Sequence, residues 1–121
     1  MDNSLGIWGE DLAAEYLENK GYRILQRNFR CRTGEIDVIA SDKKYIVFVE
    51  VKARKNDSFA SARSFVTAAK QRKILSAAKF WLVSHYTELQ PRFDVIEIYS
   101  EDRVKEKASI EHIENAFETE Y

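Results

Sequence analysis

Three residues stand at spacings that could do chemistry: Asp37, Glu50 and Lys52. Asp37 lies in the run Glu35-Ile36-Asp37-Val38-Ile39-Ala40, and the other two lie in Tyr45-Ile46-Val47-Phe48-Val49-Glu50-Val51-Lys52. Side chains alternate along an extended chain, so Glu50 and Lys52 share a face. An acid followed two residues later by lysine also occurs at Glu18/Lys20 and Asp42/Lys44, but only Glu50/Lys52 lies in an apolar run with a second acid facing it. The polar stretch 41–44 reads as the turn of a hairpin. If that turn is even, with Asp42 and Lys43 at its tip, Ala40 faces Tyr45, Asp37 faces Phe48 and Glu35 faces Glu50. Asp37, Glu50 and Lys52 then project from the same side as Ile39, Ile46 and Phe48, leaving Ile36, Val38 and Ala40 on the other. Asp37 and Glu50 become diagonal neighbours with backbones about 7–8 Å apart, close enough for both carboxylates to meet one cation. An odd turn would send Asp37 to the opposite face.

Two acids and a lysine on an otherwise apolar face are unfavourable unless they bind something. Carboxylate oxygens are hard donors suited to Mg²⁺ or Mn²⁺, which take one or two carboxylates and fill the remaining positions with water and substrate phosphate. Such a metal activates water and offsets charge gathering on a phosphorus centre. Lys52 could orient that water or stabilise the developing charge. The same spacing also suits a strand-end ion pair of Glu50 with Lys52 or Arg54.

The elements that must hold these residues can be read from periodicity. Leu5, Trp8, Leu12, Tyr16 and Leu17 recur at helical spacing and predict an amphipathic helix over 5–19, stopped at Lys20-Gly21 with glycine in the left-handed C′ position. Gly6 and Gly9 weaken its first turns; close approach by a neighbour beside Glu10 and a frayed N-terminus explain them equally well. Strands are expected at 22–28, 35–40 and 45–53, with a basic connection at 30–34. A basic loop follows over 54–66. Thr67 can cap a second helix over 68–85, whose buried stripe is Ile74, Ala78, Trp81 and Leu82. A fourth strand over 92–99, a loop over 100–109 and a short closing element over 110–117 complete the chain. Strand, helix, strand in succession implies a crossover into a mixed sheet.

With 121 residues, the chain is expected to form one domain spanning 1–121. No apolar run is long enough to span a bilayer, and no secretory signal is visible at the N-terminus. Cys31 is the single cysteine, which suits a reducing compartment, so the expected location is cytoplasmic. The net charge of −1 conceals an asymmetry. Residues 21–92 hold fifteen bases and six acids, while 1–20 hold five acids and one base and 93–121 hold nine acids and three bases. Such separation can create a positive face that attracts phosphates, although solvated faces on different elements would produce the same counts.

The runs Gly34-Glu35-Ile36-Asp37-Val38-Ile39 and Phe48-Val49-Glu50-Val51-Lys52-Ala53-Arg54 resemble the signature of the YraN-like family of uncharacterised bacterial proteins. The likeness extends through Gly9-Glu10-Asp11-Leu12-Ala13, Gly21-Tyr22, Asn28-Phe29-Arg30, Lys70-Gln71-Arg72, Arg92-Phe93-Asp94-Val95 and His112-Ile113, and so covers nearly the whole chain in order. That family is assigned to the PD-(D/E)XK endonuclease-like superfamily and is similar in fold to archaeal Holliday-junction resolvases. The resemblance implies an α/β, restriction-endonuclease-like three-layer core, with a mixed central β-sheet flanked by helices. It implies Asp37 and Glu50 as metal ligands, Glu10 as the additional acid of resolvase-like members and Lys52 as the catalytic lysine. The implied activity is Mg²⁺- or Mn²⁺-dependent hydrolysis of DNA phosphodiester bonds, with branched or damaged DNA as candidate substrates and a homodimer as the arrangement common among resolvase-like relatives. Two departures are visible: Ile36 stands where the superfamily's proline would precede Asp37, and Phe59-Ala60-Ser61-Ala62 lacks the glycine that generally follows the phenylalanine.

From spacing alone, Glu10 lies about 140° around the first helix from Leu5, on the flank of the apolar stripe, where an acid is ordinarily solvated. Lys70 precedes Ile74 and Ala78 by four and eight residues and extends the buried stripe of the second helix toward the sheet, either as a site residue or as a cation lying along that stripe. Arg30, Arg32, Arg54, Lys55, Lys70 and Arg72 are the candidate nucleic-acid contacts, with Arg23 and Arg27 beside them and Tyr22 and Phe29 available to stack on bases. His85 and His112 lack metal-ligand spacing and read as structural. Two other function classes fit the same sequence. One is a nucleic-acid-binding module without catalysis; the other is a protein-interaction adaptor working through the acidic C-terminal segment with Glu101, Asp102, Glu111, Glu114 and Glu118.

Overall fold

The computed structural model describes residues 4–55 and 66–117. The first helix, α1 (Ser4–Asn19), ends in a glycine stop: Gly21 has φ 97°, the Tyr22 N–H reaches the Leu17 carbonyl at 2.9 Å and the Gly21 N–H reaches that of Glu18 at 3.0 Å. Only a residue without Cβ adopts that φ at no cost, and the paired bonds satisfy carbonyls left over at the helix end. Three strands follow, β1 (Arg23–Cys31), β2 (Gly34–Ser41) and β3 (Tyr45–Arg54), then α2 (Ala68–Ser84), β4 (Gln90–Tyr99), a single 3₁₀ turn (Lys105–Lys107) inside the expected loop, and β5 (Ser109–Ile113). Thr67 caps α2, its Oγ1 accepting from the Lys70 N–H at 3.1 Å. Most of the expected basic loop, 56–65, including Phe59-Ala60-Ser61-Ala62, lies outside the described residues, as does Glu118.

The five strands form one sheet in the order β1-β2-β3-β4-β5. Every pairing is antiparallel except β3 with β4, which is parallel because α2 carries the chain back across the sheet. α1 covers one face. Leu12, Ala13 and Leu17 pack there on Val38, Ala40, Val47, Val49, Ile96 and Ile98. α2 covers the other face, where Ile74, Ala77, Ala78 and Trp81 pack on Ile39, Ile46, Phe48, Phe93 and Val95. The result is a three-layer α/β/α arrangement with a mixed sheet. No helix among the described residues is long and apolar enough to cross a membrane.

Three details differ from the sequence reading. The buried side of α1 is centred on Gly9, Ala13 and Leu17, while Leu5, Trp8 and Tyr16 are only half-buried. Small residues let the helix sit close: a Cβ on Gly9 would meet the Ala53 Cβ at 2.6 Å, whereas one on Gly6 would meet nothing within 4 Å. The β1–β2 hairpin is longer than expected, with Cys31 opposite Gly34, so the basic connection contracts to Arg32-Thr33. The β2–β3 register is shifted by two residues. Ser41 pairs with Ile46 and Ala40 with Val47, in place of Ala40 with Tyr45. Asp42 causes the shift: its Oδ1 accepts the Lys44 N–H at 2.8 Å and the Tyr45 N–H at 2.7 Å, drawing 42–45 into a side-chain-capped turn. A shift of two preserves facing parity within the ladder from Val38 to Ser41, whereas Ile36, expected beside Val38 and Ala40, lies on the other face.

Candidate functional site

β3 presents Glu50 and Lys52 toward α2, in line with Phe48. Glu50 is only 7% exposed. Its Oε1 receives two ammonium groups, Lys70 Nζ at 2.7 Å from the first turns of α2 and Lys52 Nζ at 3.5 Å from its own strand. The sequence reading of Lys70 as an extension of the α2 stripe is therefore matched by its position, half-exposed and directed at the sheet.

Asp37 comes from the other strand of the hairpin. The β2–β3 ladder ends at Val38↔Val49, and carried one step further the same register sets Asp37 opposite Glu50 rather than Phe48. There the strands part, and the Asp37 Oδ2 accepts the Val51 N–H at 2.8 Å. The side chain thus takes a donor that points at β2 beyond the last ladder pair. The alternation of β2 breaks at the same place: Ile36 packs with the α2-side core although Val38 and Ala40 face α1. Burial, then repulsion from the Glu50 carboxylate, pushes the Asp37 carboxyl up to about 7, against the pull of the Val51 N–H. Glu10 and Glu35 add smaller repulsions.

Glu10 reaches this region from α1. Its side chain is largely covered, its pKa is raised by burial, and Arg27 Nη2 approaches Oε1 only to 3.8 Å. That oxygen is buried without a hydrogen-bond partner. Among the described residues, however, no three His, Cys, Asp or Glu side chains converge closely enough to hold a metal ion, so Glu10 is near the pair without closing a three-carboxylate site. Lys52 is shifted below the usual lysine value by burial and by the neighbouring Lys70 ammonium, which outweigh the attraction of Glu50. Burial also works against the charge on Lys70, but its hydrogen bond to Glu50 prevails and raises it.

The other basic candidates divide. Arg32, Lys55 and Arg72 are exposed, and Arg30 is exposed but paired with Glu35 at 3.2 Å. Arg54 turns inward, its Nε 3.2 Å from Glu97 Oε1. A guanidinium so engaged neutralises a buried acid, which leaves it poorly placed for phosphate. Of the acidic C-terminal residues, Glu101, Asp102, Glu111 and Glu114 are exposed. The two histidines serve packing: His85 stacks on Trp81 at 4.0 Å, and His112 joins the buried network below.

Two groups on β4 escaped the sequence reading. Glu97 is fully buried beside Lys52 in the parallel register; its Oε1 accepts from Arg54 and the Tyr99 hydroxyl, and its Oε2 has no partner. Asp94, equally buried, takes Arg92 Nε at 2.9 Å and Arg92 Nη2 at 2.8 Å, the Asn115 N–H at 2.9 Å and His112 Nε2 at 2.7 Å. Lys20 Nζ lies 3.3 Å from His112 Nδ1. An ammonium can only donate, so Nδ1 accepts and Nε2–H faces Asp94. Burial works against the Asp94 charge, but His112, Arg92 and Asn115 together hold its pKa below the usual carboxylate value. The signal that could have found both is the one used for Asp37 and Glu50, acids within the apolar run Phe93-Asp94-Val95-Ile96-Glu97-Ile98.

A mixed sheet between two helices, with its parallel pair at the crossover and an acid pair where the central hairpin opens, is the three-layer arrangement of restriction-endonuclease-like domains. The chain belongs to the UPF0102 family, the YraN-like proteins: the model described as "Uncharacterised protein family UPF0102" matches residues 9–98. A UPF0102 protein of Geobacter sulfurreducens is 50% identical over 120 residues, covering 97% of this chain and 91% of the relative. Another from Caldanaerobacter subterraneus is 44% identical over 115 residues and 94% of each chain. One from Clostridium perfringens is 48% identical over 98 residues and 80% of each chain.

Proposed function

We propose that this protein is a divalent-metal-dependent hydrolase of DNA phosphodiester bonds. The observation that carries the reading is the opposed pair Asp37 and Glu50, two covered carboxylates whose repulsion, added to burial, raises the Asp37 carboxyl to about 7. A group strained in its charged form is one that a bound cation would relieve. The donor set fits Mg²⁺ or Mn²⁺: the oxygens are hard, two carboxylates suffice when water and phosphate complete the sphere, and the buried Glu10 Oε1 has no hydrogen-bond partner. Asp37 and Glu50 would hold the metal, with Glu10 supporting. A cation held there would supply Lewis-acid assistance to the attack of water on phosphorus. The Val51 N–H fixes the Asp37 carboxylate in orientation. Lys52 Nζ, with its pKa lowered, can carry or release a proton at the site or steady charge on the phosphate.

The direct test incubates the protein with branched, flapped and single-stranded DNA in Mg²⁺ or Mn²⁺. Cutting that disappears in Asp37→Ala and Glu50→Ala supports the reading; no cutting of any substrate, or cutting that survives both substitutions, ends it. A nucleic-acid-binding module without catalysis is the second reading. It is favoured by the two lysines that already neutralise Glu50 without a metal. That reading requires DNA binding that persists in EDTA and in Glu50→Ala.

A further inference from the structure

Beside the carboxylate pair, a cavity of about 640 Å³ opens between the β1–β2 turn and the start of α2. Its walls include Arg30, Arg32 and Glu35 from the hairpin and Thr67, Lys70 and Lys73 from the helix side. We infer that this cavity is a distinct phosphate-binding site, which seats a phosphate of the bound nucleic acid other than the scissile one. The inference rests on the DNA reading above and adds to it a second contact point with its own residues.

The cavity is built rather than incidental. Gly34 lies so close to α2 that a Cβ there would meet the Lys73 carbonyl oxygen at 2.5 Å, and Ser76 Oγ donates to Thr33 Oγ1 at 2.7 Å. The turn is thereby pinned against the helix, and Arg30 and Arg32 line the cavity together with Lys70 and Lys73 of α2. Arg30 is paired with Glu35 and Lys70 with Glu50. Arg32 and Lys73 have no ion-pair partner among the described residues, so cationic groups from opposite walls remain uncompensated. A fork-shaped guanidinium opposite an ammonium is the donor set that phosphate oxygens accept. The volume is of the size taken by small-molecule ligands, enough for a phosphate together with its sugar. Lys70 belongs to this wall and also touches Glu50, so a strand leaving the carboxylate pair would cross Lys70 into the cavity.

The test measures binding of the full-length protein in EDTA, where nothing is cut, to single-stranded and duplex oligonucleotides carrying either a 5′-phosphate or a 5′-hydroxyl. Arg32→Gln/Lys73→Gln is expected to weaken binding by roughly tenfold for each charge removed and to flatten the log–log salt slope by roughly 1.4 on single strands and roughly 1.8 on duplex. An equal loss on both kinds of end identifies an internucleotide phosphate, and a loss confined to the phosphorylated oligonucleotide identifies a terminal one. Affinity within about twofold of wild type on every oligonucleotide, or wild-type protein that binds none of them, overturns the inference. Arg32→Lys/Lys73→Arg keeps both charges and should bind nearly as wild type; a loss there as large as in the glutamine variant also overturns it. The two readings fail separately. A protein that binds through the cavity yet cuts nothing retains the site and loses the hydrolase, whereas a protein that cuts while the glutamine variant binds undiminished does the reverse.

Discussion

Replacing Asp37 with asparagine should make the metal-free protein more stable, by an amount that grows with pH. The native carboxyl titrates at about 7, against 3.8 in its unperturbed state. The folded protein therefore holds this proton more tightly than the unfolded chain. Below both values the group is neutral in either state and has no effect. As pH rises from about 4 to 7 the unfolded chain loses the proton first, and stability falls; above 7 the full penalty persists. At about 1.4 kcal/mol for each tenfold change in acidity, the penalty reaches about 4 kcal/mol. Asparagine removes the charge and keeps an oxygen for the Val51 N–H, so the penalty disappears without orphaning that donor. Urea unfolding in EDTA at pH 4.5, 6, 7 and 8 should show the variant gaining little at the lowest pH and about 2–4 kcal/mol at the highest, roughly 10 °C in Tm for a chain of this size. Adding Mg²⁺ at pH 8 should then stabilise wild type but not the variant, because only the native carboxylate pair gains a cation. Equal stability of the two proteins at pH 8, or a gain independent of pH, would refute the account of this pair.

Three further outcomes follow from the geometry. Lys70→Met removes the ammonium 2.7 Å from Glu50 Oε1, and Mn²⁺ affinity measured by calorimetry should rise, since a competing cation is gone. Asp94→Ala leaves Arg92 and His112 buried without their shared acid, and should destabilise by about 3–5 kcal/mol in chemical unfolding. Gly9→Ala drives a methyl into Ala53 at 2.6 Å, and should cost about 1–3 kcal/mol despite the better helix propensity of alanine, with Gly6→Ala neutral or stabilising as the control.

Part of the candidate site is legible because period-2 alternation is insensitive to a register error of two. Turn parity places Glu50 and Lys52 on the α2 side with Phe48, but it does not carry to Asp37, because the alternation of β2 breaks between Val38 and Ile36. The pairing itself was misread because Asp42 bonds backbone groups with its side chain, an effect that apolar patterning does not encode. Gly21 and Thr67 were readable as helix stop and helix cap because each does a local job that few residue types can do. The position of α1 was harder to read, since its closest contact is made by Gly9, which contributes nothing to a hydrophobic stripe. Arg54 reads as a phosphate contact in the sequence because its partner Glu97 lies 43 residues away, and that pairing exists only once β3 and β4 are neighbours. Glu97 and Asp94 carry the same signal as Asp37 and Glu50, acids within an apolar strand.

The parallel pairing of β3 with β4 also bears on how the molecule assembles. From Tyr45↔Gln90 to Arg54↔Tyr99, each partner lies 45 residues along the chain from the other, whereas β1, β2 and β3 are joined by turns of a few residues. Loop-closure entropy lets the local hairpins form early and makes the long-range ladder the slow event. The hairpin that brings Asp37 and Glu50 together thus belongs to the fast part of folding. Lys70 arrives with α2, and Glu97 and Asp94 with β4. During synthesis the two acids emerge before the lysine that neutralises Glu50, so the acid pair comes to rest only when the crossover closes.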